Sequence, residues 1–285
     1  MKWSKFMSNE VMIEIGSATA KETELNSHTH SRIQADTLFT FTSELEFLIP
    51  YIKNSCLYPR YCDENIEYLD INKIKKIYIP MKCFCDINLH RIQCHLDWYG
   101  HYGLAFPKEW GMKNGIQPIQ YINPESRLKK DFSFAFNQIL NDDSSVTSNL
   151  GDMMKNFMLH ELMYYKPYEG NMKNRRTKEI EKKCFTDECE WRYIPDLSDT
   201  EFQQIYYDPN IIMNPGIMND ISNSLTKVSR ASLKFEYTDI KYIIIKTTND
   251  FIELVSIIDN LNIDINIRNE LISKIIIWDK SKEDF

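Results

Sequence analysis

Alternation of apolar and polar residues predicts the first strand of the chain. The stretch Leu38-Phe39-Thr40-Phe41-Thr42 alternates as a short strand does. After it comes an apolar stripe at helical spacing, formed by Leu45, Leu48, Ile49 and Ile52. Ser43 and Glu46 have the spacing of a capping box, so the helix is expected to begin at Ser43. Pro50 lies inside the stripe, where we expect a kink or an early end.

Short apolar runs predict strands in the middle of the chain, at residues 77–79, 82–85, 103–106 and 118–122. Pro80 separates the first two runs, and the pattern of residues 86–98 favours a helix. A long helix is predicted over residues 146–165 from the spacing of Leu150, Met153, Met154, Phe157 and Glu161.

The last third of the chain returns to alternating strands and helices. Residues 242–245 form a continuous apolar run of the kind found in buried strands. An amphipathic helix is predicted over residues 251–261. The residues around Ile267 and Leu271 predict one more helix, whereas residues 275–278 fit either its end or a last strand.

This succession of elements predicts a single α+β domain over residues 37–285, built on a central mixed or split sheet. Residues 1–36 are polar and weakly patterned, so we expect a loose N-terminal leader. The residues around 125–183 are expected to form a hydrophilic loop or insertion.

Net charge narrows the possible functions. The 285 residues carry 34 Lys and Arg against 41 Asp and Glu, a net charge of −7, which disfavours a protein that coats duplex nucleic acid. A local basic patch, near Arg60 or in Arg175-Arg176-Thr177-Lys178, is where nucleic acid would bind, although such a run is more commonly a charged surface loop. The sequence lacks a signal peptide and the roughly 18 apolar residues of a spanning helix, so we expect a soluble, cytoplasmic protein without membrane contact.

Cysteine and histidine residues cluster in one short stretch, as Cys83, Cys85, His90, Cys94, His95 and His101. Thiolate and imidazole ligands suit zinc, but no CxxC pair is present, so reduced thiols and surface imidazoles are favoured and no metal is predicted. The odd total of 7 cysteines does not indicate a disulfide framework. The absence of Gly-rich phosphate loops, HExxH and GxSxG disfavours P-loop NTPases, ordinary Rossmann dehydrogenases, zincins and α/β-hydrolases.

The segment 186–195 contains the strongest candidate for chemistry. As a strand, it places Glu188, Glu190 and Arg192 on one side and the apolar residues on the other. Two carboxylates at this spacing repel, so one is expected to hold its proton more tightly, which suits acid–base catalysis or stabilisation of a cation. The pattern alone favours the simpler interpretation, a solvated strand face on which Arg192 neutralises Glu190.

Four groups of motifs between residues 37 and 195 resemble the AbiGi family of abortive phage-resistance proteins. They are the opening strand Leu38-Phe39-Thr40-Phe41-Thr42; Tyr58-Pro59-Arg60-Tyr61-Cys62; Pro80-Met81-Lys82-Cys83-Phe84-Cys85-Asp86-Ile87 with Tyr99-Gly100-His101-Tyr102-Gly103 and Lys108-Glu109-Trp110-Gly111; and Lys166-Pro167-Tyr168-Glu169-Gly170 with Glu188-Cys189-Glu190-Trp191-Arg192-Tyr193. The resemblance implies a role in bacterial defence against phage, as the antitoxin-like half of a two-gene abortive-infection system.

A more distant resemblance connects the opening strand, the helix after it, the middle Tyr-Gly segment and the late strand with its glutamate to the ADP-ribosyltransferase fold, including DarT-type enzymes that modify nucleic acid. In that fold the opening strand and helix cradle NAD, aromatic rings stack on nicotinamide, and a late glutamate grips the ribose. Cleavage of the nicotinamide–ribose bond builds positive charge on the sugar, which a carboxylate stabilises.

The resemblance implies NAD as substrate and a role for each matching residue. Glu190 is then the catalytic glutamate, with Glu188 as the second carboxylate of the motif. The expected NAD-binding residues are Thr40, Phe41, Thr42, Arg60 (for phosphate) and Tyr99 or Tyr102 (for stacking). Thr40 stands where the family has a histidine, which puts the transferase chemistry in doubt.

Three hypotheses follow. The first is an ADP-ribosyltransferase toxin that uses NAD to modify a macromolecule (RNA, DNA or protein) and arrests the infected cell. The second is a non-catalytic antitoxin or regulator that neutralises a cognate toxin. The third is a cytosolic scaffold without a small-molecule site.

Overall fold

A mixed sheet forms the centre of the computed structural model, which describes residues 35–72, 74–141, 149–174, 178–207 and 214–283. Its strands and those of three smaller sheets are β1 (Thr37–Thr42), β2 (Cys56–Leu57), β3 (Arg60–Asn65), β4 (Lys76–Cys85), β5 (Tyr102–Pro107), β6 (Gln117–Pro118), β7 (Gln120–Ile122), β8 (Tyr165–Pro167), β9 (Glu169–Lys173), β10 (Ile180–Cys184), β11 (Glu190–Tyr193), β12 (Leu233–Lys234), β13 (Tyr242–Ile245) and β14 (Ile275–Ile277). The helices are α1 (Leu45–Asn54), α2 (Gln93–Tyr99), α3 (Lys108–Lys113), α4 (Arg127–Asn141), α5 (Asn149–Met163), α6 (Pro215–Leu225), α7 (Thr248–Asp259), α8 (Ile265–Ser273) and α9 (Trp278–Ser281). The fold is therefore mixed α+β.

The central sheet has eight strands, with seven in the order β14-β13-β5-β1-β4-β11-β6 and β3 paired with β4. Only β13 and β14 pair in parallel within the described sheet. Parallel β7–β8, antiparallel β9–β10 and antiparallel β2–β12 form separate two-stranded sheets. Residues Gln34–Phe285 cluster as one compact unit.

Apolar clusters cover both faces of the sheet. One face packs on α1, α3, α7 and α8 through residues such as Leu48, Trp110 and Leu254. The other face packs on α2 and α9 around Phe39. On β13, Ile243 and Ile245 belong to the first cluster and Ile244 to the second, which explains its continuous apolar run.

The structure confirms strands at 38–42, 103–106 and 242–245, but changes the start of the first helix. α1 begins after Glu44 and has no side-chain cap, so the capping box expected at Ser43 is wrong. The Thr42 hydroxyl donates instead to the Glu44 carbonyl over 3.2 Å. Pro50 lies inside α1, and the helix continues past it to Asn54.

The two strands expected on either side of Pro80 are one continuous strand, β4. Pro80 lies opposite Tyr61 of β3, and the Tyr61 N–H points away from β4 because it donates to the Ser222 hydroxyl. This is therefore a non-hydrogen-bonded pair, in which the missing proline N–H costs the β3–β4 ladder nothing.

Residues 125–183 contain regular elements rather than the expected loop. They include the 15-residue helices α4 and α5, the first of which the sequence analysis missed. Phe132 and Phe136 of α4 pack on Met158 and Leu162 of α5 in a third apolar cluster. The segment is nevertheless inserted between two neighbouring strands of the sheet. β6 precedes it in the sequence, β11 follows it, and these two strands are paired.

The ambiguous residues after α8 form a strand, β14, parallel to β13. The helix expected over residues 86–98 is shorter: a 3-10 turn at Leu89–Arg91 precedes α2. Of the expected leader, residues 1–34 lie outside the described residues, as do Arg175, Arg176 and Thr177 of the basic run. None of the helices described is both long and apolar enough to cross a membrane.

Candidate functional site

Six charged side chains meet beside β11, and we call them the buried ionic cluster. They are Glu64, Lys166, Lys183, Glu188, Glu190 and Arg192. The three carboxylates balance the three cations. None of these side chains is more than 14% exposed, and Arg192 is fully buried.

Alternation along β11 directs Glu190 and Arg192 to the same face of the sheet. The Arg192 Nε donates to Glu190 over 2.7 Å. Its two terminal nitrogens donate to the Glu64 carboxylate over 2.8 Å and to the Met163 carbonyl over 2.7 Å. Since Met163 ends α5, the guanidinium also satisfies one of the unpaired carbonyls at that helix terminus.

Lys166 holds the two sequence-predicted glutamates together. Its ammonium donates to Glu188 over 2.6 Å and to Glu190 over 2.7 Å. The parallel pairing of β8 with β7 places Lys166 opposite Tyr121, whose hydroxyl accepts the Glu190 backbone N–H over 2.8 Å. Glu190 is thus fixed through both its side chain and its backbone.

Glu188 comes from a 3-10 turn, Phe185–Glu188, and not from the strand as expected. Cys189 has a left-handed backbone, with φ 43°, and joins this turn to β11. The Glu188 carboxylate accepts from Lys183 over 2.6 Å and from the Tyr99 hydroxyl. The turn therefore brings Glu188 to Lys166 by a route that strand alternation does not describe.

The expected rise in the pKa of one glutamate does not occur. Burial by itself raises the pKa of Glu190, but Arg192 and Lys166 outweigh it and hold the pKa below its usual value. Burial also raises the pKa of Glu188, and Lys166 with Lys183 lowers it below its usual value. Both carboxylates are therefore ionised at neutral pH.

Glu64 behaves differently within the same cluster. Burial raises the pKa of its carboxyl by more than Arg192 lowers it, so the net direction is upward. For Lys166 and Arg192, burial lowers the pKa, but the surrounding glutamates outweigh burial and raise it. The cluster thus keeps both of these cations charged.

The simpler interpretation of the sequence was a solvated strand face on which Arg192 neutralises Glu190, and the structure agrees with one part of it. Arg192 does neutralise Glu190, as expected, but the face is not solvated: it is buried, whereas the apolar-side residues Trp191 and Tyr193 remain partly exposed. The charged face is buried because α5 and β8 cover it. These elements supply its partners, the Met163 carbonyl and the Lys166 ammonium.

The structure brings Tyr99 to the glutamates but separates Thr40 from them. Phe39 is in register with Cys85, and Cys85 with Glu190, so these side chains share a face of the sheet. Phe41 lies on that same face by alternation. Thr40 and Thr42 point to the opposite face.

The two remaining predicted NAD-binding residues contact other parts of the fold. Arg60 donates to Asn223 over 2.9 Å and to Asn219 over 3.4 Å, both on α6. The Tyr102 hydroxyl donates to Asp250 at the start of α7 over 3.3 Å, and burial together with Asp250 raises the pKa of Tyr102 to about 12. No three His, Cys, Asp or Glu side chains of the described residues are arranged to hold a metal ion.

Sequence reasoning missed Glu64, Lys166, Lys183 and Tyr121. Lys166 begins one of the motifs shared with the family, and Lys183 ends the hydrophilic segment 125–183. Neither of these patterns indicates a buried cation. Only the pairing of β7 with β8 and of β9 with β10 places them beside β11.

A cavity of about 250 Å³ lies beside the cluster, and we call it the acidic cavity. Its polar lining includes Glu64, Glu67, Glu169, Lys166, Asn65 and Asn171. Its less polar walls are Tyr68, Phe185, Pro124, Pro167 and Gly170. Because Glu64 and Lys166 belong to both, the cavity borders the otherwise closed ionic cluster.

Helix α5 presents large apolar side chains to solvent. Met153, Met154 and Phe157 are 68%, 46% and 54% exposed, and we call them the α5 stripe. The buried face of the helix is formed instead by Met158, Leu162 and Met163. A groove of about 260 Å³ between α4 and α5 adds apolar surface on the same pair of helices; it is lined by Phe136, Ile139, Leu140, Lys155, Met158 and Leu159.

Comparison with known proteins gives a consistent result. Residues 55–246 match the family model described as "Putative abortive phage resistance protein AbiGi, antitoxin". The chain is 35% identical over 246 residues to the abortive phage resistance protein AbiGi of Lactococcus lactis subsp. cremoris, covering 80% of this chain and 98% of the relative. No solved structure matches significantly. The buried ionic cluster, the acidic cavity and the α5 stripe all lie within the residues that match the family model.

Proposed function

Because the chain belongs to the AbiGi family of abortive phage resistance proteins, we propose that it acts in phage defence as the antitoxin of a two-component abortive-infection system. In this role it binds a cognate toxin protein and neutralises it without catalysing a reaction. The observation that carries the proposal is the α5 stripe, where three large apolar side chains are exposed on a helix whose other face is anchored in the core.

The buried ionic cluster supports a binding role. Lys166 and Arg192 each bind one oxygen of Glu190, so both oxygens of the carboxylate already serve an internal ion pair. An arrangement of this kind orders the elements that surround it, namely α5, β8 and β11. A rigid support under α5 suits protein recognition, because less conformational freedom is lost on binding.

The α5 stripe and the neighbouring groove fit an apolar segment of the toxin. Large exposed apolar patches on soluble proteins mark interaction sites, and aromatic and methionine side chains are enriched in interface cores. Phe157 is the natural anchor, since it is the largest member of the stripe. Lys155 is the charged residue of the groove, so an acidic side chain beside the apolar segment would complement it.

Expression of the full chain, alone and with the toxin encoded beside it, tests the proposal. We expect the chain alone to leave growth unchanged, to restore growth when the toxin is present, and to co-purify with the toxin. Growth arrest by the chain alone would contradict an antitoxin role. Failure to rescue or to co-purify would equally reject it.

The second candidate is NAD-dependent transfer of ADP-ribose to RNA, DNA or protein. It is favoured by one observation, the contact between Tyr99 and Glu188 in the cluster that holds Glu190. Catalysis would require Glu190 to leave Lys166 and Arg192 and to face the ribose, where its charge would stabilise the developing cation. Four of the six predicted NAD-binding positions, Thr40, Thr42, Arg60 and Tyr102, do not face the glutamates and would have to be replaced by different contacts.

Incubation with labelled NAD and cell lysate separates the two candidates. The transferase predicts label on a macromolecule, and Glu190→Gln should abolish the labelling. Glu64→Gln is the matched control, because it removes another carboxylate that binds Arg192 but is not the candidate catalyst. Circular dichroism of both variants checks that each of them is folded. Absence of label with the wild-type chain would reject the transferase and leave the antitoxin.

A further inference from the structure

We propose that Lys82 is the centre of a binding site for a phosphate group. Lys82 is paired with Tyr193, and the next pair along these strands, Cys83 with Arg192, faces the other way, so the site and the buried ionic cluster lie on opposite faces of the sheet. The site does not depend on what the α5 stripe binds. Three observations carry it: a buried ammonium without a carboxylate partner, tyrosine hydroxyls beside it, and a second cation at its rim.

Lys82 is a buried cation to which the described residues offer no counter-charge. Only 8% of this residue is exposed, yet no ion pair of the described residues includes it. Lys166 is buried to nearly the same extent, at 9%, and its ammonium binds two glutamates. Because a buried charge costs free energy unless it is paired, the Lys82 ammonium would gain from an incoming anion.

The polar contact of Lys82 with the described residues is a neutral one. Its Nζ donates to the Tyr51 hydroxyl on α1 over 3.0 Å and lies 4.3 Å from the centre of the Tyr51 ring. An ammonium carries three N–H donors, so this arrangement leaves donors for the oxygen atoms of a ligand. Phosphate oxygens form stronger hydrogen bonds with a charged donor than neutral acceptors do.

Two further tyrosines bring hydroxyl groups to the site. Tyr193 on β11 is in register with Lys82 on β4, so their side chains are neighbours on one face of the sheet. The Tyr58 ring lies 6.2 Å from the Tyr51 ring. Burial raises the pKa of both Tyr58 and Tyr193, so their hydroxyls stay protonated and can donate to an anion. All three tyrosines are half-buried, so the site is not sealed from solvent.

The charges around the site favour phosphate over carboxylate. Lys234 on β12 lies opposite Cys56 on β2, and the Cys56 thiol is close to Tyr58 and Tyr193. Lys234 is exposed, and the ion pairs of the described residues do not include it either. Two lysines without a carboxylate partner suit a ligand with nearly two negative charges, such as a phosphate monoester, better than a carboxylate with one.

Isothermal titration of the full chain with inorganic phosphate tests the site, and adenosine monophosphate and adenosine distinguish the source of the phosphate. We expect both phosphate compounds to bind and adenosine, which carries no phosphate, not to bind. Tighter binding of adenosine monophosphate would assign the site to a phosphate ester whose ring stacks on the tyrosines. Equal or weaker binding of this compound would assign it to free phosphate.

Lys82→Met should weaken the binding of inorganic phosphate about tenfold or more, because it removes the central charge. Lys241→Met is the matched control and should leave binding unchanged. The Lys241 ammonium likewise donates to a hydroxyl, that of Thr37 over 2.9 Å, and lies 5.8 Å from the centre of the Tyr242 ring. Tyr193→Phe should weaken binding by a smaller factor, because one neutral hydrogen bond is lost.

Stability gives a readout that a merely structural lysine would not produce. Lys82→Met removes an unpaired buried charge, so without phosphate the midpoint of urea unfolding should stay the same or rise. Lys166→Met should lower the midpoint, because it leaves Glu188 and Glu190 without a shared cation. Added phosphate should raise the midpoint of the wild type and not that of Lys82→Met.

Equal phosphate binding by Lys82→Met and Lys241→Met would overturn the proposal, and so would equal binding of adenosine monophosphate and adenosine. Absence of binding of both phosphate compounds up to millimolar concentrations would overturn it as well. A large loss of stability in Lys82→Met, or its failure to fold, would mean that the ammonium is already compensated within the chain, which is equally incompatible with the proposed site.

Discussion

In the buried ionic cluster six charged side chains lie inside the fold, whereas in the α5 stripe three large apolar side chains lie on its surface. Each region departs from the usual distribution of residues. The two departures are nevertheless of different kinds. Charges in the cluster find partners within the chain, whereas the apolar side chains of the stripe are left exposed by the part of the chain that the structure describes.

The difference separates what holds this fold together from what is left for recognition. A buried charge requires every partner in place, so removing one leaves the others uncompensated. An exposed methionine or phenylalanine costs the isolated chain little when it is changed. We therefore expect substitutions in the cluster to act on stability and substitutions in the stripe to act on binding.

The largest expected effect comes from Arg192→Met, which removes the shared cation of Glu190 and Glu64. The free energy of unfolding, measured by urea denaturation, should fall by about 3–5 kcal/mol. Arg230→Met is the matched control, since Arg230 pairs with Asp199 over 3.1 Å at the surface and should change stability by about 1 kcal/mol or less. Similar losses for the two variants would show that the cluster contributes no more than a surface pair.

Acidification should weaken the cluster without any substitution. Glu188 and Glu190 have a lowered pKa in the folded chain, so their stabilising contribution is fully present above the unfolded value of about 4.3 and is lost as the pH falls toward the folded values. Glu64, whose pKa is raised, contributes in the opposite direction.

The pH dependence can be assigned with Glu190→Gln. This variant should be less stable than the wild type at neutral pH and should lose less stability on acidification below about pH 4.3. Glu109→Gln removes an exposed carboxylate instead and serves as the control. A slope for Glu190→Gln equal to that of the wild type would mean that Glu190 does not carry the dependence.

The smallest effect on stability is expected for Phe157→Ser in the α5 stripe. Because this side chain is 54% exposed, the free energy of unfolding should change by about 0.5 kcal/mol or less. Affinity for the cognate toxin, measured by calorimetry, should nevertheless fall about tenfold or more. Ile252→Ser is the control, since Ile252 is 63% exposed on α7.

A loss of several kcal/mol on Phe157→Ser would place the stripe in the core of the described chain. An unchanged toxin affinity would move the toxin interface elsewhere. Either outcome removes the contrast with the ionic cluster.

Elements whose own residues determine their environment could be predicted from the sequence. The run Tyr242–Ile245 is apolar throughout, and it is covered on both faces. The alternation of residues 38–42 likewise predicted β1. The pair Glu190 and Arg192 was visible because its members are two residues apart.

Contacts that depend on pairing between distant parts of the chain could not be predicted. Lys166 lies in a strand of three residues, too short to show a pattern, and reaches Glu190 only because β8 pairs with β7. On α5, the chain offers apolar residues on more than one side of the helix, so spacing predicted the helix but not which side is buried.

The edges of the central sheet carry a further consequence, for association between chains. β6 ends the sheet with two residues, one of them Pro118, and β14 ends it with three. A strand that short offers an incoming chain only a few backbone hydrogen bonds, and a proline offers no donor. At these two ends of the sheet a partner would therefore gain little by adding a strand and must recognise side chains instead.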